Sequence, residues 1–220
     1  MLPRVLEPEV MDTAEEARDY DKMDHAAVNR AFVTDFLALH PDASDIVLDL
    51  GTGTAQIPIE LCRRAAKVNI VAVDAAAEML AVAAQNVARA GLQERIRLDH
   101  VDAKELPYPD QTFPAVISNS IVHHIPDPAA VFAEMARVCA RGGAIFVRDL
   151  LRPDDEPTLN RLVDTYAAGA NQHQRQMFAD SLRAALTLAE VRAIVAQFGF
   201  PAESVSQTTD RHWTWAAVKN

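Results

Sequence analysis

The stretch that decides the fold is Ile46-Val47-Leu48-Asp49-Leu50-Gly51-Thr52-Gly53-Thr54-Ala55-Gln56. An apolar run, broken only by Asp49, leads into a turn built on Gly51 and Gly53, and a helix-compatible segment follows. Such a run is typical of a strand buried on both faces of a parallel sheet. Glycines at the end of the strand let a ligand approach the backbone closely, and the start of the helix offers unpaired N–H groups. The stretch therefore predicts a site for a nucleotide-type cofactor.

An acidic residue ends the next apolar run. Val68 to Val73 is followed by Asp74, which lies 21 positions beyond Gly53. In a βαβ unit, an acid at the tip of the second strand can accept hydrogen bonds from both hydroxyls of a ribose bound over the first turn. The alternative is a purely structural one, in which the glycines form an ordinary tight turn and Asp74 caps the following helix.

Predicted strands and helices alternate along the chain. The predicted strands are Ile46 to Leu50, Val68 to Val73, Arg95 to Val101, Ala115 to Asn119, Ala144 to Arg148, Ser204 to Gln207 and Trp213 to Val218. A helix is predicted from about Ala76 to Arg89, and another is predicted to run through Val138 to Gly142-Gly143. The pattern predicts an α/β fold, a Rossmann-like doubly wound sheet with helices on both faces. The sheet should be mostly parallel with an antiparallel last strand.

Two regions outside this alternation define the predicted domain organisation. Residues 1–40 are predicted to form an N-terminal arm and lid helices, and residues 41–220 the cofactor-binding core, with a helical insertion at about 154–185. Thr13 and Glu16 form a capping-box pattern that starts the first helix. The polar stretch 18–25 is either a lid over the site or a solvated helix face.

Composition excludes several classes of function. Lys and Arg number 21 against 31 Asp and Glu, a net charge of −10, which disfavours binding to nucleic acid or to an anionic membrane. The two cysteines, Cys62 and Cys139, lie among apolar residues and are predicted to be reduced core residues of a cytoplasmic protein. Oligomeric state is not predicted.

Four motifs occur in an order found in one known family. They are Val47 to Thr54, Val71 to Asp74 with Met79-Leu80, Asp102 to Phe113, and Ser118 to Ile125 followed by Arg141-Gly142-Gly143. Together they resemble the class I S-adenosylmethionine-dependent methyltransferases. The chain departs from the family pattern at Ala55, where a third glycine is common, and at Arg141, where proline is usual.

The resemblance implies S-adenosylmethionine as cofactor and S-adenosylhomocysteine as product. The residues that it predicts to bind the cofactor are Tyr20, Asp49, Gly51, Thr52, Gly53, Asp74, Ala75, Met79, Asp102, Ala103 and Asn119. Asp74 should bind the ribose, Asp102 the adenine amino group, and Asp49 should face the methionyl part. A sulfonium cofactor with an ammonium group is cationic, so an acidic cleft suits it.

The predicted catalytic residue is His124, as a general base near the tip of the fourth strand, although a packing role is the alternative. His123 should point elsewhere if the local chain is extended. No metal is predicted, because the adjacent histidines lack carboxylate or cysteine partners at ligand spacing. Arginines expected near the mouth of the site suggest an anionic or carboxylate-bearing acceptor; they are Arg148, Arg152, Arg175 and Arg211.

The leading hypothesis is a methyltransferase that acts on a small-molecule acceptor by in-line methyl transfer. One alternative is a non-catalytic module that binds S-adenosylmethionine and serves a partner protein. The other is a nicotinamide-dependent oxidoreductase, which fits less well because its Gly-x-Gly-x-x-Gly fingerprint would end at Gln56.

Overall fold

The computed structural model of the chain describes residues 2–7, 12–40 and 46–220. Residues 1 and 8–11 of the predicted arm lie outside the described residues. The α-helices are α1 Ala14–Asp21, α2 Ala26–Leu39, α3 Gln56–Arg64, α4 Ala77–Ala90, α5 Pro128–Val138, α6 Glu156–Tyr166, α7 Gln172–Ala184 and α8 Leu188–Gln197. The strands are β1 Ile46–Leu50, β2 Asn69–Asp74, β3 Ile96–His100, β4 Phe113–Asn119, β5 Cys139–Leu150, β6 Val205–Gln207 and β7 His212–Val218. Short 3-10 turns cover Val122–His124 and Ala202–Ser204.

The strands form one seven-stranded sheet in the order β3-β2-β1-β4-β5-β7-β6. β1 pairs in parallel with β2 on one side and with β4 on the other, so its end lies at the point where the strand order reverses. β7 runs antiparallel to both β5 and β6. The predicted fold class is confirmed. Ligands of open α/β sheets bind at such a reversal point, outside the carboxyl ends of the strands.

One boundary prediction was wrong. The helix expected to reach Gly142-Gly143 ends at Val138, and the strand expected to start at Ala144 begins at Cys139. The reason is pairing with two distant parts of the chain, because Cys139 pairs with Phe113 of β4 and the glycines after it pair with the C-terminal end. The Gly142 N–H donates to the Lys219 carbonyl at 2.7 Å, and the Lys219 N–H donates to Gly143 at 2.9 Å. This extended pairing is incompatible with a helix, and a contact so remote in sequence leaves no local signal.

Apolar side chains fill both faces of the sheet. On one face Phe32 and Phe36 of α2 pack on Phe146, with Phe32 edge-on to Phe146 at 5.0 Å between ring centroids. On the other face Phe132 of α5 stacks on Trp215 of β7 at 5.2 Å. These two buried layers hold the strands rigidly, so the ends of β1, β2 and β4 form a fixed platform.

No helix in the described part of the chain is long and apolar enough to cross a membrane.

The start of the chain packs against the predicted insertion, which forms α6 and α7. The Val5 N–H donates to the Arg183 carbonyl at 3.2 Å. The Arg4 guanidinium donates to the carbonyls of Ala184 at 2.7 Å and Ile125 at 2.9 Å. These bonds fix residues 2–7 beside the turn that follows β4. Glu7 is thereby placed next to that turn.

Two glycines set the conformation of the turn after β1. Gly51 and Gly53 have φ of +70° and +54°, a left-handed conformation that side chains with a Cβ rarely adopt. The N–H groups of Gly51 and Thr52 both donate to the Val73 carbonyl at 2.9 Å, which ties the turn to β2. A Cβ at Gly51 would lie 2.0 Å from the Cγ2 atom of Ile121. Glycine is therefore required at residue 51 by conformation and by space.

We expect Gly51→Ala to destabilise the protein more than Gly91→Ala. Gly91 has a similar φ of +68°, but a Cβ there would meet nothing within 4 Å. Both variants place alanine in the left-handed conformation, which costs about 1–2 kcal/mol. Gly51→Ala adds the cost of overpacking against Ile121, about 1–3 kcal/mol. Urea denaturation measures the difference. Equal losses in the two variants would show that Ile121 moves aside freely.

Candidate functional site

A crevice opens at the carboxyl ends of β1, β2 and β4. It consists of two adjoining cavities that share Tyr20, Gly51 and Asn119 as lining residues. The first cavity is lined by predicted cofactor residues together with the segment 119–125, and the second lies over Asp49 and Thr52. The predicted cofactor-binding residues therefore lie around one continuous crevice.

Asp49 is the most unusual group in the crevice. Its side chain is 2% exposed, and its Oδ2 atom accepts no hydrogen bond from the described residues. Burial raises the pKa of Asp49 to about 7, the nearby Asp74 charge adds to the rise, and Thr52 opposes it. A buried carboxylate oxygen without a donor is costly. The position suits a ligand that brings a positively charged hydrogen-bond donor, such as an ammonium group.

Asp74 lies at the end of β2 and reaches across to the glycine turn. Its Oδ2 atom accepts from the Gly53 N–H at 2.7 Å, and its Oδ1 atom accepts from the Ala76 N–H at 2.9 Å. Burial raises the pKa of Asp74, although these backbone N–H groups work in the opposite direction. Its carboxylate thus contacts the glycine turn. The alternative that Asp74 caps the following helix is not supported, because the N-cap residue of α4 is Ala76 and it has no side-chain cap hydrogen bond. Its role toward a ribose stays a prediction.

The third acid, Asp102, lies at the more open end of the first cavity, with Ala103, Ala75 and Met79. Its Oδ1 atom accepts from the Lys104 N–H at 2.9 Å, and the Lys104 ammonium lies 3.0 Å from Oδ2. Burial raises the pKa of Asp102, but the contacts with Lys104 outweigh it, and the net direction is down. This carboxylate is therefore ionised at neutral pH. Its ionised form can accept a hydrogen bond from an adenine amino group.

The helix α1 covers the crevice. A Cβ built on Gly53 would lie 3.6 Å from Tyr20 Cε1, and the Tyr20 ring lies 5.0 Å from that of His25. Burial and the charges of Asp74, Asp49 and Asp21 raise the pKa of Tyr20, so its phenol is protonated and can donate a hydrogen bond. The Asp21 carboxylate accepts from Asn86 at 2.8 Å and so pins α1 to α4. The stretch 18–25 thus includes residues that close over the crevice.

His124 lines the first cavity, on the same side as Ile121 and Ile125. Its Nδ1 atom lies 3.2 Å from the Glu7 Oε1 atom. His123 was expected to point elsewhere if the local chain were extended, and that condition is not met, because Val122–His124 is a 3-10 turn. His123 nevertheless does not line the first cavity. His123 is buried, and its ring centroid lies 4.1 Å from that of His124. Whether His124 acts as a general base stays a prediction.

The suggested anion site at Arg148 and Arg152 is not supported. The Arg148 guanidinium donates to Thr214 at 2.9 Å and to Asp35 at 2.7 Å, and it lies over the Phe146 ring. Arg152 pairs with Glu190 at 2.7 Å. Both side chains are buried in structural pairs and line neither cavity of the crevice.

Sequence reasoning missed several polar residues of the second cavity, among them Asn29 of α2. Its Nδ2 group donates to Gln56 Oε1 at 3.3 Å, and the two side chains lie at the cavity over Asp49. A signal existed in the sequence. Asn29 is the polar member of the otherwise apolar buried stripe of α2, which comprises Phe32, Val33 and Phe36. A polar group on such a stripe needs a partner or a ligand.

The fold and the crevice define the class of protein. A doubly wound sheet with a glycine turn, three acids at strand ends and an unpartnered buried carboxylate oxygen suits a cationic nucleoside cofactor. The core of the chain has the features of a class I S-adenosylmethionine-dependent methyltransferase domain.

Comparisons with known proteins identify the domain's family. Residues 47–143 match the family model described as "Methyltransferase domain". The chain is 36% identical over 111 residues to phosphatidylethanolamine N-methyltransferase of Cereibacter sphaeroides, covering 50% of this chain and 53% of that protein. It is 30% identical over 180 residues to 27-O-demethylrifamycin SV methyltransferase of Amycolatopsis mediterranei, covering 80% and 62%. The chain thus spans between half and two thirds of the length of these curated relatives.

A solved structure shares the whole architecture. The SAM-dependent methyltransferase from Aquifex aeolicus aligns with a TM-score of 0.68 over 93% of this chain and 97% of that one. The identity is 17%, so the likeness is one of fold. It extends beyond the residues of the family model to the sheet edge and the peripheral helices.

We expect cofactor affinity to depend on the ionisation of Asp49. Because its pKa in the folded protein is raised to about 7, the carboxyl group is neutral below that pH and cannot pair with an ammonium group. Affinity for S-adenosylmethionine should fall about tenfold per pH unit below 7 and level off above it. Calorimetric titration from pH 5.5 to 8.5 measures this. An equally steep profile in Asp49→Asn would assign the titration to another group.

The same shift has a consequence for the stability of the free protein. A carboxyl group whose pKa is raised on folding destabilises the folded state progressively as the pH rises. For Asp49 this happens between the pKa in the unfolded chain, about 3.9, and the pKa in the folded protein, about 7. Asp49→Asn should therefore be more stable than the wild type by a few kcal/mol at pH 8, and the gain should vanish near pH 4. Asp154→Asn, at an exposed position, is the control. A gain that persists at pH 4 would contradict the assignment.

Proposed function

We propose that this chain binds S-adenosylmethionine in the crevice and transfers its methyl group in line to a small-molecule acceptor. The observation that carries the proposal is the buried Asp49 Oδ2 atom near the end of β1, which accepts no hydrogen bond from the described residues. When bound, the cofactor supplies a methyl group activated by its sulfonium leaving group. The chain itself must align the acceptor and exclude water, which can contribute roughly 7–11 kcal/mol.

The residues divide between the two ends of the crevice. Asp49, with Asn119 beside it, would hold the amino-acid end of the cofactor, and Asp74 and Asp102 would hold the adenosine. Tyr20 would cover the bound cofactor. The segment 120–125 then faces the space left for the acceptor. That space is enclosed by apolar Ile121 and Ile125 and the half-buried His124, which favours a molecule of limited size with an apolar part.

The names of the relatives support a small-molecule acceptor. One acts on a rifamycin precursor and another on phosphatidylethanolamine, so the shared domain serves acceptors that differ in chemistry. The net charge of −10 argues against nucleic acid as the acceptor.

Two alternatives make different predictions. A nicotinamide cofactor carries an anionic pyrophosphate, and the acids at the strand ends would repel it. A non-catalytic module would bind S-adenosylmethionine but yield no product with any acceptor. The lined space beside His124 favours an enzyme, because a module has no need of an acceptor cavity.

The test has two stages. First, S-adenosylmethionine and S-adenosylhomocysteine should raise the melting temperature of the protein, whereas NAD should not. Second, incubation with methyl-labelled cofactor and fractionated metabolites should label one small molecule and release S-adenosylhomocysteine. Stabilisation by NAD alone would overturn the proposal, and cofactor binding without transfer to any fraction would favour the non-catalytic module.

Asp74→Asn tests the ribose contact within this proposal. The variant should bind S-adenosylhomocysteine at least ~10-fold more weakly, because an amide accepts hydrogen bonds less well than a carboxylate. The loss should largely disappear for the 2′,3′-dideoxy analogue, which has no hydroxyls to donate. Calorimetry on both proteins with both ligands gives the coupling between Asp74 and the hydroxyls. Equal losses for the two ligands would mean that Asp74 acts only by holding the Gly53 turn.

A further inference from the structure

Outside the cofactor-binding acids, four ionisable side chains meet beside the crevice. Glu7 comes from the N-terminal arm, His123 and His124 from the 3-10 turn after β4, and Asp149 from the end of β5. The Glu7 Oε1 atom lies 3.2 Å from His124 Nδ1 and 3.6 Å from His123 Nε2. All three of these ligand-type atoms lie within 4.8 Å of one another. Glu7, His123 and Asp149 are not among the residues predicted to bind the cofactor.

The spacing matches a metal coordination sphere. Ligand atoms about 2.0–2.1 Å from a tetrahedral ion lie about 3.3 Å from each other, close to the two distances that Glu7 Oε1 makes. The Glu7 Oε1 atom is buried and accepts no hydrogen bond from the described residues. A carboxylate oxygen in that state, aimed between two imidazole nitrogens, needs a positive partner.

Asp149 gives His123 the support that metal-binding histidines have. The His123 Nδ1 atom lies 2.5 Å from Asp149 Oδ1, so the opposite nitrogen, Nε2, points toward Glu7. Asp149 is itself held by the Val122 N–H and the Leu150 N–H, each at 2.6 Å. A carboxylate on the far nitrogen fixes the tautomer and the ring orientation of a ligating histidine. The ring is thus oriented before any ion arrives.

We propose that Glu7, His123 and His124 bind a divalent transition-metal ion at the acceptor end of the crevice. Two imidazoles and one carboxylate suit zinc, iron(II), manganese or cobalt, and a three-residue site leaves a coordination position open. The local charges allow it. Glu7 and Asp149 carry two negative charges against one positive charge on Arg4, whose guanidinium donates to the carbonyls of His123 and Ile125.

The open position would face the first cavity, which His124 and Ile125 line. If the proposed methyl transfer is correct, an acceptor with an ionisable oxygen could bind the ion there and lose its proton more readily. His124 would then act as a ligand through Nδ1 and not as the general base predicted from the sequence. The metal-free prediction rested on the lack of a carboxylate partner, and Glu7 supplies one from 116 positions away in the chain.

The test is metal binding by untagged, chelator-treated protein. Cobalt(II) should bind one ion per chain and give visible absorption bands of a four- or five-coordinate site, and zinc should displace it. Glu7→Gln and His124→Gln should each weaken binding at least ~10-fold. The matched control is His173→Gln, an exposed histidine on α7, which should bind as the wild type does. Circular dichroism checks that each variant is folded.

The outcomes separate this proposal from the proposed function. Absence of one-to-one binding at millimolar zinc would overturn the metal site and leave simple ion pairing between Glu7 and the histidines. Equal weakening by His173→Gln would also overturn it. Binding of S-adenosylhomocysteine is measured in the same preparations. Retained cofactor binding without metal binding defeats the metal site alone, whereas metal binding without cofactor binding defeats the proposed function alone.

Discussion

The buried carboxylate of Asp49 is the constraint around which the crevice is organised. It lies on β1, with β2 and β4 on either side, so water cannot reach it from the flanks of the sheet. Ionising it costs free energy, as its pKa of about 7 shows. Asp74 lies close enough to add to that cost. A fold that places two acids in one poorly hydrated crevice favours a ligand that is positively charged there.

The glycine turn makes this arrangement possible. Its N–H groups satisfy Val73 and Asp74 and so join β1 to β2 without side chains that would fill the crevice. Ile121 packs directly over Gly51, which couples the turn after β1 to the segment after β4. The cofactor end and the acceptor end therefore share one contact. A change in either segment alters the position of the other.

The features predicted correctly from the sequence are those set by short-range physics. β1 begins and ends where its apolar run does, and the capping box of Thr13 and Glu16 forms as its spacing indicates. Each depends on residues within a few positions of each other. The start of β5 was mispredicted because pairing with distant parts of the chain decides it, and Asn29 was missed because its partner Gln56 lies on another helix.

The same difference between short-range and long-range contacts applies to the two ends of the crevice. Most of the predicted cofactor-binding residues lie at or just after the ends of strands, so short contiguous sequence motifs predict them. The cluster of Glu7, His123, His124 and Asp149 comes from three separate parts of the chain. No short stretch of the sequence contains all four residues. Such a site is visible only once the chain is folded.

The N-terminal segment contributes to both ends of the crevice. Glu7 contacts the histidines, whereas Asp12, five positions later, accepts from the Glu78 N–H at the start of α4. Tyr20 then returns over Gly53. The contacts of Glu7 and Tyr20 therefore bring residues from the beginning of the chain to both ends of the crevice, the turn after β4 and the glycine turn after β1.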